Sequence, residues 1–403
     1  MIYFDNAATT RILPEVIEEM NKSFEEHWGN PSSTHRQGQK SRAAIEKSRE
    51  TIAKLLQVDA KEIIFTSGGA ESNNLILKGA LKVNESKGKH LITSKIEHST
   101  VLRTCQALEK EGYEVTYIDV TERGVVDLEQ LKNAIRNDTV VISVMYVNNE
   151  TGVVQPIDEI AEMIEGKGIV LHTDAVQGIG KEMILPKKQG IHALSAAAHK
   201  FYGPKGTGFL YLDQNCMIEK EITGGSQERN RRSGTENVHG IVGMAKALEI
   251  VYSDMEEEQA KEKEMQKYLE ESLKNEICNI KINCGNSRRI SSVVNITLED
   301  CNVQTLMVAL DMEGICVSGG SACMSGAMET SHVLKAMGAS EEDLKSSLRT
   351  MVEQDGDWMV FESCLDGCEG VDEQWKLSKY IKQRIASFTT TKYTFDNEEI
   401  WGE

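Results

Sequence analysis

Residues 168–177 read GIVLHTDAVQ. The run from Ile169 to Thr173 is mostly apolar and β-branched and does not alternate, the pattern of a strand buried on both faces. It ends on a carboxylate, Asp174, with Gln177 three positions later. A carboxylate beside an apolar run needs a partner, because burying the charge alone is costly. Two readings stand open for Asp174: a cap for the following segment, or an acid turned toward a ligand. The neighbouring text decides the fold. KHLITS (89–94), EVTYIDV (114–120) and TVVISVMYV (139–147) are further short apolar runs, and EIIFTS (62–67) ends at Gly68-Gly69. Between them lie helical spacings such as PIDEIAEMIEG (156–166) and AESNNLILKGAL (70–81). SRAAIEKSRETIAKLL (41–56) precedes them as an amphipathic helix, with Ala44, Ile45, Ile52, Leu55 and Leu56 near one face. Strands alternating with helices predict an α/β fold with a mostly parallel sheet flanked by helices. In such sheets ligands gather at the carboxyl ends of the strands.

From about Tyr252 the texture changes. EEEQAKEKEMQKYLEESLKNEI (256–277) reads as a long charged helix with a solvated face, and SSVVNITLE (291–299) as an alternating strand. For 403 residues, two domains are expected: a large domain over 15–252, and a smaller α+β domain made of 1–14 and 253–403, with 350–403 a divergent tail. The formal net charge of −18 argues against nucleic acid and anionic membranes as partners, since both call for a basic face. No apolar run nears the roughly 18 residues of a membrane span, and MIYFDNAATT lacks the charged start of a secretory leader. Nine cysteines without a repeating framework suit a reduced, cytoplasmic setting.

The strand ends carry the chemistry. EIIFTSGGAESNN is strand, glycine turn and helix, whose first N–H groups suit a phosphate. VVISVMYVNNETG ends in Asn148, Asn149 and Glu150; LITSKIEHS brings His98 after another strand. SAAAHKFYGPKGTG (195–208) sets His199 and Lys200 among small residues, with Lys205 in a GPKG turn expected to face solvent. Together these match what pyridoxal phosphate requires: a lysine for its aldehyde, a carboxylate for its pyridine nitrogen, a helix start for its phosphate, donors for its phenolic oxygen and a flat side chain for its ring. Lys200, Asp174, the Gly68–Ala70 turn, Asn149 with Gln177, and His98 supply them.

The motifs YFDNAATT, GNPSSTH, FTSGGAESNN, VNNETG, HTDAVQ, AHKFYGPKG, RRSGTENV and VSGGSACMSG resemble, in order and spacing, the cysteine desulfurases, pyridoxal-phosphate enzymes of fold type I in the class V aminotransferase superfamily. The likeness runs from about residue 2 to residue 349, and the GSAC loop resembles group I, the type serving iron–sulfur cluster assembly. The resemblance implies that Lys200 takes the cofactor aldehyde and shuttles a proton, that Asp174 pairs with the ring nitrogen, and that His98 stacks on the ring and assists acid–base steps. It implies Asn149 and Gln177 at the phenolic oxygen, Gly69, Ala70 and His199 at the phosphate, Thr235 reaching the partner subunit's phosphate across a homodimer, and Arg349 on the substrate carboxylate, with Asn149 beside it. Cys323 is implied to attack the sulfur of bound L-cysteine, leaving a persulfide for a scaffold or carrier protein and releasing alanine. Small residues from Ser318 to Gly326 suit a thiol that must travel, and the thiolate is the attacking form. For Cys216, Cys278 and Cys316 the expectation is a small buried hydrophobe.

The chain departs from the family pattern at three places. Ala70 stands where the family usually has Thr, and Ala197 where it has Ser; both hydroxyls normally donate to the phosphate. After SSLR the text TMVEQDGDWMVFESCLDGCEGVDEQ matches neither the strand nor the helix that completes the family's small domain, which leaves Arg349 without its expected support. Cys364 and Cys368 form one C-x3-C pair with no second pair, so no metal site is expected. Arg229, Arg231 and Arg232 form a basic cluster suited to an interface or a phosphate. Other readings are a class V lyase acting on selenocysteine or cysteine sulfinate, and a non-catalytic relative in sulfur trafficking.

Overall fold

The computed structural model describes residues 1–299, 301–319 and 330–351. The chain begins with β1 (Ile2–Tyr3), α1 (Pro14–Glu26) and α2 (Arg36–Leu56), and then alternates: β2 (Ile63–Thr66), α3 (Gly69–Val83), β3 (His90–Ser94), α4 (Ser99–Lys110), β4 (Glu114–Ile118), α5 (Leu128–Ala134), β5 (Thr139–Ser143), α6 (Ile157–Ile164) and β6 (Val170–Asp174). Next come β7 (Ala193–Ala197), β8 (Gly208–Leu212), the short α7 (Gln227–Asn230) and α8 (Val238–Glu276). The remainder holds β9 (Ile280–Ile282), β10 (Val293–Leu298), α9 (Val303–Met312), β11 (Ile315–Cys316), β12 (Ser318–Gly319), α10 (His332–Ala336), α11 (Glu341–Lys345) and β13 (Ser347–Met351).

Seven strands form the main sheet in the order β2-β8-β7-β6-β5-β3-β4. Every neighbouring pair is parallel except the two made by β8. The expected mostly parallel sheet is therefore present, and the β5, β6, β7 and β8 runs are buried at every position. Side-chain alternation sends Ile63 and Phe65 to one apolar layer with Ile45, Ile52 and Leu56 of α2, while Ile64 joins the opposite layer with Leu75 and Ile76 of α3 and Val101 of α4. Helices thus cover both faces, as a sheet with two apolar faces demands. The starts of the helices are marked by polar caps: His98 for α4, Asp127 for α5 and Asn237 for α8 each accept a backbone N–H in the first turn.

The smaller sheet has the order β12-β13-β10-β9 and is antiparallel. SSVVNITLE predicts an alternating strand, yet all six residues of β10 are buried. Val294, Ile296 and Leu298 join Leu269 and Leu273 of α8 and Leu306 of α9. The other face carries Val293, packed on the main core, and two hydrogen-bonded polar residues: Asn295 donates to the Glu150 carbonyl at 3.0 Å, and Thr297 pairs with Ser347 at 2.9 Å. The change of texture near Tyr252 falls inside α8, which runs unbroken for 39 residues. The acidic half of α8 still buries Met255, Leu269 and Leu273.

Two expectations are corrected. Arg349 does have a supporting strand: Thr350 and Met351 continue β13 opposite Val294 and Val293, and the Met351 N–H donates to the Phe4 carbonyl at 2.8 Å. The pattern break after SSLR is read too early because two residues are too few to show a period. Cys278 is exposed, not buried, since it follows the end of α8; Cys216 and Cys316 are half-buried.

The basic cluster beside α7 is paired within the chain. Arg49 of α2 is 2% exposed and grips Glu228 through two bonds of 2.7 and 2.9 Å, while the Phe65 N–H donates to the same carboxylate at 2.9 Å. Arg232 pairs with Glu71 at 2.8 Å and Arg229 with Glu46 at 3.3 Å. Replacing one member of the buried pair strands the other as a lone charge. Arg49→Met is expected to cost about 3–5 kcal/mol in urea denaturation, and adding Glu228→Gln is expected to regain part of that loss.

Candidate functional site

The carboxyl ends of β2, β3, β5, β6 and β7 open on one cleft of about 710 Å3. Gly69, Ala70, His98, Asn149, Asp174, Gln177, His199, Lys200 and Arg349 all line it. Sequence distance is no obstacle, because strand order in the sheet, not chain order, sets which ends are neighbours. Lys205 also reaches the rim but is exposed, as its turn predicts. Thr235 is exposed and is not part of this chain's cleft. Cys323 lies outside the described residues, as do Cys364 and Cys368.

Asp174 meets the first reading left open for it, and it borders the cleft that the second requires. Its Oδ1 accepts the Val176 N–H at 3.0 Å, a cap on the following turn, and its Oδ2 accepts from Asn73 Nδ2 at 2.7 Å. The carboxylate is 5% exposed and borders the cleft. Across the cleft, Gly68 takes φ +150°, which favours glycine, and α3 begins at the next residue. A Cβ at Gly69 would lie 2.6 Å from Val176 Cγ2. The first N–H groups of α3 have no intrahelical acceptor and so suit an anion. Ala70 and Ala197 flank this corner and bring no hydroxyl to it.

The N-terminal segment crosses the cleft and holds the lysine. Lys200 Nζ donates to the Ala7 carbonyl and, at 2.8 Å, to the Ala8 carbonyl. Gln177 Nε2 donates to the same Ala7 oxygen at 2.9 Å. His199 Nδ1 lies 3.2 Å from Thr9 Oγ1. Burial first, then the charges of Lys200 and Lys205, push the His199 pKa down to about 4, so its imidazole is neutral at pH 7.

Arg349 is 3% exposed. Its Nη1 donates to the Asn149 carbonyl at 2.9 Å; its Nη2 donates to Ser318 Oγ at 2.7 Å and pairs with Asp5 at 3.2 Å. The guanidinium is thereby fixed at the cleft wall by β1's exit, β12 and the loop after β5. His332 of α10 also lines the cleft and donates from Nε2 to the Glu97 carbonyl at 2.9 Å. Two buried acids sit at this wall, Glu150 lining the cleft and Glu97 behind it. Burial pushes Glu97 up to about 8, with Asp174 adding to the effect and the Ser94 hydroxyl and Met145 N–H opposing it. Burial also raises Glu150, which accepts from Ser331.

The sequence reading passes over Asp5, Asn73, Thr100 and His332, and takes Ser318 only as part of the small-residue stretch around Cys323. Asn73 and Thr100 carry one available signal: each is a polar residue in the first turns of a helix that follows a strand end. Asp5 and Ser318 carry none, because their meeting with Arg349 depends on three chain segments converging.

The aminotransferase class-V family model matches residues 2–346. Cysteine desulfurase IscS of Dictyoglomus turgidum is 44% identical over 348 residues, spanning 86% of this chain and 88% of that one. Cysteine desulfurase IscS of Clostridium botulinum is 45% identical over 350 residues, with shares of 86% and 88%. Among solved structures, a NifS-like protein gives a TM-score of 0.86 at 34% identity, over 96% of this chain and 99% of that one. SspA in complex with cysteine gives 0.78 at 37% identity, over 88% and 99%.

Beneath the site, His172 of β6 lies between Ser143 (2.8 Å) and Ser195 (2.9 Å), and burial pushes its pKa down to about 3. The unfolded chain takes up this proton near the ordinary 6.5, while the folded chain refuses it until about pH 3. Stability present above pH 6.5 is therefore lost as pH falls through that window. The stability difference between wild type and His172→Gln is expected to shrink from pH 6.5 to pH 4, by up to about 1.4 kcal/mol per pH unit, in denaturant midpoints measured across that range.

Proposed function

The chain belongs to the class-V aminotransferase family, and from that membership we propose that it is a pyridoxal-phosphate-dependent cysteine desulfurase, taking sulfur from L-cysteine and releasing L-alanine. One observation carries this reading: an amine (Lys200), a buried carboxylate (Asp174), an imidazole (His98) and a fixed guanidinium (Arg349) face a single cleft beside a helix start.

The donor set fits the cofactor's chemistry. Asp174 suits the ring nitrogen, the α3 start with Gly69 and Ala70 suits the phosphate together with His199, Gln177 and Asn149 suit the phenolic oxygen, and Lys200 suits the aldehyde. When bound, pyridoxal phosphate supplies an electron sink for the substrate's α-carbon. Lys200 would carry the proton at that carbon, Arg349 would hold the substrate carboxylate with Asn149 alongside, and His98 would border the cofactor's ring. The Cys323 thiolate attacks the substrate sulfur; the new S–S bond forms as the carbon–sulfur bond breaks, and the carbon takes up a proton to become the alanine methyl group. The persulfide sulfur then passes to a scaffold or carrier protein for iron–sulfur cluster assembly. A cytoplasmic homodimer, with Thr235 of each subunit reaching the other's phosphate, completes the reading. No helix among the described residues is long and apolar enough to cross a membrane.

Incubating the cofactor-loaded protein with L-cysteine and reductant is expected to yield alanine and sulfide. Lys200→Ala and Cys323→Ala are each expected to lower that yield at least 100-fold. Equal turnover in all three proteins defeats the mechanism, and normal turnover without Cys323 alone favours selenocysteine or cysteine sulfinate as substrate.

The hydroxyls missing at Ala70 and Ala197 set a second expectation. Each donor to a charged acceptor is worth about 1.5–3 kcal/mol. Ala70→Thr and Ala197→Ser should therefore each tighten pyridoxal-phosphate binding roughly tenfold or more, read by equilibrium titration of the apoprotein. Cofactor retention by the unaltered chain that is already complete after prolonged dialysis contradicts a weakened site.

A further inference from the structure

Hydrogen-bond directions around His98 are forced by the donors present. His98 caps α4, with Nδ1 3.3 Å from the Thr100 backbone N–H and 2.8 Å from Thr100 Oγ1. A backbone N–H can only donate, so Nδ1 is an acceptor and the neutral ring carries its proton on Nε2. Thr100 Oγ1 accepts from Asn73 Nδ2 at 2.9 Å, which leaves the hydroxyl hydrogen for His98. Asn73 also donates to Asp174 at 2.7 Å. A flipped amide would set Oδ1 against the Asp174 carboxylate, so the acid fixes the amide. Asn73 is wholly buried, and its Oδ1 has no partner among the described residues. At this residue orientation prevails over full satisfaction.

We propose that Asn73 and Thr100 are positioning residues that hold His98 as a neutral Nε2–H imidazole, so that His98 presents a fixed hydrogen-bond donor to the cleft. With Nδ1 occupied by α4, Nε2 is the nitrogen left for the cleft. The groups facing the ring agree with this on balance. Burial is the largest influence and disfavours the charged ring, Lys200 and His332 act in the same sense, and Asp174 alone opposes them. A helix N-terminus likewise disfavours an imidazolium, because its N–H groups already point positive charge at the ring. The use of the donor in catalysis rests on the proposed desulfurase reading; the tautomer does not.

Cofactor-loaded protein with 15N-labelled histidine tests both parts. His98→Gln identifies the resonance by its loss. In the wild type, long-range 1H–15N spectra are expected to show the neutral Nε2–H form throughout pH 6–8. Thr100→Val keeps the backbone donor but deletes the hydroxyl; it is expected to give mixed tautomers or protonation above pH 6, with kcat down roughly tenfold and KM little changed. Thr100→Ser is expected to restore the spectrum and kcat. A wild-type His98 that titrates between pH 6 and 8, or that carries its proton on Nδ1, overturns the proposal without any variant. Thr100→Val with an unchanged spectrum overturns the role of Thr100. An unaltered chain that turns over no cysteine yet shows the locked tautomer defeats the desulfurase reading and leaves the tautomer standing.

Discussion

A buried carboxylate at the end of β6 sets the terms for much of the cleft. Asp174 sits where five strand ends meet, and its charge is tolerable because each oxygen has a donor: one from the turn it caps, one from Asn73 of α3. Satisfying this one acid ties the start of α3 to the end of β6. It also fixes the amide of Asn73, and through Thr100 the ring of His98. A local requirement of charge burial thus becomes the alignment of three separate elements around one space.

The second half of the site is built differently. Arg349 belongs to the smaller sheet, yet its three partners come from the N-terminal segment, β12 and the loop after β5. β10 adds a contact of its own through Asn295 and the Glu150 carbonyl. The junction between the two sheets therefore adds directed polar contacts, which set angles as well as distances, to the apolar packing of Val293 and Met351 on the main core.

What the sequence reveals follows from how local each signal is. Buried strands show as short apolar runs, so the parallel sheet and the positions of Asp174, His98, Asn149 and Lys200 at its edge are legible from the order of residues. Helix starts after strands place Gly69 and Ala70. The partners that orient these groups are another matter. Asn73 and Thr100 look like ordinary first-turn polar residues, and Asp5 is separated from Arg349 by almost the whole chain. The strand carrying Arg349 is missed because its last two residues, Thr350 and Met351, run into text of a different character. The texture change at Tyr252 marks a real shift in composition, but composition does not report that one helix carries both textures.

The pairing of β1 with β11 gives the chain an unusual order of assembly. Ile2 and Tyr3 lie beside Ile315 and Cys316, Asp5 reaches Ser318, and the Phe4 carbonyl receives the Met351 N–H. Between these ends, Ala7 and Ala8 hold Lys200. On a ribosome Ile2 to Asp5 must therefore wait for residues 315 to 351 before they can be seated. Thr10 instead meets the His199 carbonyl and the Tyr202 N–H, so the carbonyls that hold Lys200 can be seated as soon as the main sheet has its last strand, and the two ends of this short segment dock at different stages of synthesis.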